Sequence, residues 1–85
     1  MEKLSNLPNI GKELENQLLN VGVTSSLELE RIGAKEAWLR IQKIDPTACL
    51  HRLYALEGAI RRIKKPLLPD DIKKDLKDFY NANKK

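Results

Sequence analysis

The stretch "DPTACLHRLYALEGAIRRIKK", Asp45–Lys65, decides the fold class of this chain. Leu50, Leu53, Leu56, Ile60 and Ile63 recur in it at spacings of three or four, which is one face of a helix. No other apolar stripe in the chain is as long, so the spacing predicts a central helix. Asp45–Pro46 reads as its start: Asp accepts bonds from orphan N–H groups, and Pro at the first helical position gives up a donor that had no partner. Gly58 costs about 1 kcal/mol relative to Ala inside a helix. A close approach by another backbone is the expected reason for keeping it.

Working toward the N-terminus, "AKEAWLRIQKI" (Ala34–Ile44) predicts a helix with Ala34, Ala37, Trp38, Ile41 and Ile44 inward, and with Glu36 and Arg40 paired outside. Before it, "TSSLELERIG" predicts another, with Ser25 as cap and Glu28 completing a capping box. Gly33 marks either the end of that helix or a joint into the next. Ile10, Leu14, Leu18 and Val21 predict a helix after Gly11, stopped by a left-handed Gly22. On the other side, "KKPLLPDD" breaks the central helix. Pro69, Asp70 and Asp71 open a last one, with Ile72, Leu76, Phe79 and Tyr80 inward and Lys73, Lys77 and Lys84 outward. No segment alternates with period two. The expected fold is all-α, five helices in one domain spanning residues 1–85, ordered over about 4–80 and frayed over 81–85.

Composition bounds the function classes. The chain has 85 residues, enough for one modest core. It lacks any apolar run near the ~20 residues that cross a bilayer, and no apolar signal block opens it. With one cysteine, the expected setting is a reducing cytoplasm. Charge is uneven. Residues 1–60 carry seven Lys or Arg against eight Asp or Glu, a net of −1, and residues 61–85 carry nine against four, a net of +5. Cys49 and His51 lack partners at ligand spacing, so neither a metal site nor a nucleophile is expected. Trp38, Tyr54, Phe79 and Tyr80 sit at helical periods and read as core or core rim. No phosphate loop, nucleophile elbow or pair of catalytic carboxylates is evident, so neither catalysis nor a cofactor is expected.

The segments "LPNIG", "LLNVGV", "LERIGAKEAWLRI" and "LHRLYALEGAI" resemble, in order and spacing, the C-terminal domain of the TfoX/Sxy family over residues 4 to 76. That resemblance implies a small domain of helix-hairpin-helix, SAM-like type. In full-length members it follows a separate N-terminal domain, and those members regulate bacterial natural competence with the cyclic-AMP receptor protein at promoters. A shorter resemblance joins "PNIGKEL" to the DNA-contacting hairpin of the RNA polymerase alpha subunit's C-terminal domain. There a glycine N–H and neighbouring lysine and serine side chains approach DNA. Gly11 and Lys12 fit that pattern, whereas Glu13 stands where a basic residue is expected.

Two candidate contact regions follow. Backbone N–H groups around Asn9, Ile10, Gly11 and Lys12 can meet a phosphate at a helix terminus. The competing reading is that Pro8, Asn9 and Gly11 form a tight turn while Leu7 and Ile10 plug the core. Arg61, Arg62, Lys64 and Lys65 can neutralise phosphates or an acidic protein surface, or simply be solvated cations at a helix C-terminus. The expected partner is duplex DNA or a transcription-related protein. Self-association into a homodimer is the third possibility.

Overall fold

Leu53, Ala55, Leu56, Gly58 and Ala59 are buried on a helix that packs against the rest of the molecule, as the apolar stripe requires. The computed structural model describes residues 3–84. Among them are four α-helices: α1 (Lys12–Asn20), α2 (Ser26–Ile44), α3 (Leu50–Arg61) and α4 (Asp70–Asn83). Two single 3-10 turns, Leu4–Asn6 and Lys65–Leu67, complete the order, and no strand occurs among the described residues. The fold is all-α. α3 is central, touching α2, α4 and the second 3-10 turn.

The helix count is four, not the five expected. The second and third expected helices are one element, α2, broken internally at Gly33 (φ 83°, ψ 163°). A single residue makes the bend, so no loop separates the two halves. That backbone conformation is essentially confined to glycine.

Asp45 does not start the central helix, contrary to expectation. α3 begins at Leu50 with Cys49 at its cap, and Asp45 instead closes α2. Its carboxylate accepts from the Thr47 N–H at 3.0 Å and the Thr47 hydroxyl at 2.5 Å. An Asp that bonds two residues onward makes a turn rather than a helix start. The same carboxylate accepts from Gln17 Nε2 and from Arg52, both at 2.9 Å, and so ties α1, the α2–α3 turn and α3 together.

Other local expectations divide. Gly22 is left-handed (φ 88°). Ser25 Oγ accepts from the Glu28 N–H at 3.2 Å, but the Glu28 carboxylate pairs with Arg31 rather than completing the box. Arg40 and Glu36 pair at 3.0 Å. Ile44 is 52% exposed, unlike Ala34, Ala37, Trp38 and Ile41, because the inward stripe runs out at the last residue of α2. α4 persists to Asn83, past the expected end near residue 80; there the buried Gln42 donates to the Asn83 carbonyl at 2.8 Å.

Trp38 anchors the core. Its ring is fully buried, its Nε1–H donates to the Cys49 carbonyl at 3.2 Å, and Phe79 and Tyr80 meet it edge-on at 6.1 and 5.7 Å. An indole N–H taken into a core needs such an acceptor. Leu4, Leu7 and Leu68, all buried, join this core from the turns flanking the helices.

Candidate nucleic-acid interface

The turn before α1 is assembled from both kinds of residue that the sequence offers. Leu7 and Ile10 are buried, so this turn does plug the core. Between them Asn9 adopts a left-handed conformation (φ 70°), which Asn tolerates better than most residues. One 3-10 turn, Leu4–Asn6, precedes it where a helix-hairpin-helix has a full α-helix.

Gly11 caps α1 in extended backbone (φ −87°, ψ −178°), a conformation open to any residue. A β-carbon there would meet nothing within 4 Å. Neither backbone geometry nor internal crowding therefore requires glycine, and the residue is exposed. No side chain caps this helix start among the described residues. The first N–H groups of an α-helix have no intrahelical partner, and those of Lys12, Glu13 and Leu14 bond to no acceptor among the described residues; Lys12 and Glu13 are exposed beside Gly11, while Leu14 is buried. Glu13 is exposed in the same turn, while Glu15 is turned back to accept from the Ser5 N–H at 3.1 Å.

The Asn9 side chain fixes where this turn sits. Asn9 Nδ2 donates to the Ile63 carbonyl at 2.9 Å, and the Lys65 N–H donates to Asn9 Oδ1 at 3.0 Å. The turn is thus clamped to the segment following α3, which carries the expected basic cluster. α3 ends with Arg62 in the left-handed region (φ 60°), and the Ile63 N–H bonds back to the Gly58 carbonyl at 2.9 Å. This Schellman-type ending curls the chain over the helix. Gly58 lies beneath it: a β-carbon there would come within 2.8 Å of the Ile63 carbonyl and 2.5 Å of Asn9 Nδ2. The expected close approach at Gly58 is real, and an Asn side chain shares it with the backbone.

The cations divide. Arg61 is held by Glu57 at 2.6 Å and Arg62 lies 3.8 Å from Glu30. Lys12, Lys64 and Lys65 have no carboxylate partner among the described residues. The Asn9 bonds therefore fasten the turn that precedes Gly11 and Lys12 to the segment that carries Lys64 and Lys65. Arg61 and Arg62 already have acidic neighbours. The role of Asn9 as the clamp carried no local sequence signal, since both its partners are backbone groups more than fifty residues away.

The TfoX C-terminal domain family matches residues 1–80 of this chain. Protein Sxy of Escherichia coli strain K12 is 35% identical over 81 residues, covering 95% of this chain and 39% of Sxy. The chain thus spans about two fifths of the length of that curated relative. Two solved structures from Listeria monocytogenes share the fold at a TM-score of 0.92 each. One, described as an uncharacterized protein in a triclinic form, is 46% identical and covers 93% of this chain and 90% of its own. The other, described as a protein of unknown function in a tetragonal form, is 45% identical and covers 94% and 98%.

Proposed function

This chain belongs to the TfoX C-terminal domain family, and from that premise we propose that it is a regulatory binding module that meets duplex DNA through the Gly11 turn. The competence-related setting rests on the family resemblance; the contact surface rests on geometry. The observation that carries the reading is the Asn9 clamp, which fastens the turn leading into α1, a helix start with no side-chain cap, to the segment bearing Lys64 and Lys65. A phosphate approaching Gly11 meets open N–H groups, the positive end of the α1 dipole and unpaired ammonium groups. Gly11 supports this directly: a glycine that the fold itself does not need leaves room for an outside partner. Glu13 opposes the contact and limits its strength.

Titration with a short duplex at two salt concentrations tests the reading. With about three phosphates neutralised, by Lys12, Lys64 and Lys65, affinity falls about 40-fold between 50 and 200 mM salt as counterions are released. Gly11→Glu abolishes binding while leaving the unfolding free energy within about 0.5 kcal/mol of wild type, since the site is exposed. Absence of binding at 50 mM salt overturns the proposal. An unchanged affinity in a folded Gly11→Glu variant places the contact elsewhere.

A further inference from the structure

A groove of about 280 Å³ opens where α3, the second 3-10 turn and the start of α4 meet, lined by His51, Tyr54, Lys65, Pro66 and Lys73. Its walls are mostly carbon: the His51 and Tyr54 rings stand edge-to-face at 6.4 Å, and Pro66 and the lysine stems close the sides. The walls are also fixed. Tyr54 Oη donates to the Lys73 carbonyl at 3.3 Å, and Lys73 Nζ donates to the Pro66 carbonyl at 3.1 Å. Small-molecule sites usually begin at about 300 Å³, so this volume suits one side chain better than a cofactor. Next to Pro66, Leu67 is 69% exposed, more than any other large apolar residue of the described chain. Leu67 thus adds exposed apolar surface in the residue next to the Pro66 wall.

Charge selects the partner. Lys65 and Lys73 bring two cations to the groove lining, and no carboxylate stands among its lining residues. The exposed Lys64 adjoins it in sequence, and residues 61–85 carry the excess of five positive charges. We propose that this groove docks an acidic segment of a partner protein, which inserts one aromatic or branched aliphatic side chain between His51, Tyr54 and Pro66 while its carboxylates meet Lys65 and Lys73. The anchor supplies affinity from a desolvated pocket, and the surrounding charges orient it. The site is independent of the DNA reading except at Lys65. Because Lys65 belongs to both surfaces, the acidic segment and DNA compete.

The test uses a short blocked peptide of alternating Asp and Glu with one central Phe, and the same peptide with Ala in its place. Amide shifts in the labelled protein report the site. The Phe peptide moves the signals of Tyr54, Lys65, Leu67 and Lys73, and the Ala peptide binds about tenfold more weakly. Lys65→Glu with Lys73→Glu removes binding, whereas Lys77→Glu and Lys12→Ala leave it intact. The last of these separates this site from the DNA surface, whose affinity Lys12→Ala does lower. Equal affinity for the two peptides, shifts centred on Gly11 and Lys12, or no shift at millimolar peptide each overturns the proposal.

Discussion

The side-chain amide of Asn9 lies so close to Gly58 that a β-carbon on residue 58 would come within 2.5 Å of Nδ2. The two positions, one in the opening turn and one in the central helix, thus constrain each other. In an isolated helix, Gly58→Ala would be favourable by about 1 kcal/mol. Here overpacking of about 1–3 kcal/mol opposes it, and the Ile63 carbonyl at 2.8 Å cannot swing aside as a side chain can. Urea unfolding should show Gly58→Ala less stable by about 1–2 kcal/mol. Asn9→Ala should cost about 2 kcal/mol, from two lost bonds to partly buried backbone groups and a left-handed Ala. In the double variant the sum falls short by about 1 kcal/mol, because removing the amide relieves part of the clash. Strict additivity would show that the two residues do not meet.

Gly33→Ala tests the break in α2. At φ 83° and ψ 163° an L-residue with a β-carbon is strained even though nothing crowds the position. The cost should be about 1–3 kcal/mol in chemical denaturation. A stabilised variant would mean that α2 can straighten.

Asp45 sets an acid limit. Bonds from the Thr47 hydroxyl, Arg52, Gln17 and the Thr47 N–H hold its carboxyl well below the usual carboxylate range. A carboxylate depressed in the folded state stabilises at neutral pH, and that stabilisation is lost as pH falls below the unfolded value of about 3.9 toward the folded one. The stability gap between wild type and Asp45→Asn should therefore be constant from pH 7 to about pH 5 and shrink below about pH 4. A gap unchanged down to about pH 2 would show that the charge contributes nothing.

The division among the cations gives a test on DNA. Lys12→Ala, Lys64→Ala and Lys65→Ala should each reduce the salt slope of binding by about 0.9. Arg61→Ala should change it less, since Glu57 already neutralises that side chain. Glu13→Gln should tighten binding by removing a like charge from the contact. Equal slopes for all the variants would dissolve the distinction.

Much of this architecture was legible in sequence because it is local. The 3.6-residue spacing of Leu53 and Leu56, the Ser25 cap, the Gly22 stop and the Glu36–Arg40 pair each depend on residues a few positions apart. Where distant partners decide, local rules gave out. Asp45 followed by Pro has the chemistry of a helix cap, yet Thr47, Gln17 and Arg52 compete for its carboxylate and win. In sequence, Gly33 fits an end or a joint equally, and only the geometry shows one residue making the whole bend. Within the candidate interface, Gly11 and the cations were visible as residue types. The tie from Asn9 to the segment carrying Lys64 and Lys65 was not, because an Asn side chain bonding backbone groups across the fold leaves no pattern along the chain. The groove at Tyr54 was hidden likewise, its walls coming from three separate elements.

The clamp at Asn9 also orders events during synthesis. Its partners lie 54 and 56 positions downstream, so a growing chain exposes the opening turn long before anything exists to hold it. The helices of the middle can form as they emerge, but the surface beside Gly11 waits for residues 63 to 65 to clear the ribosome. What the polypeptide makes first, it finishes last.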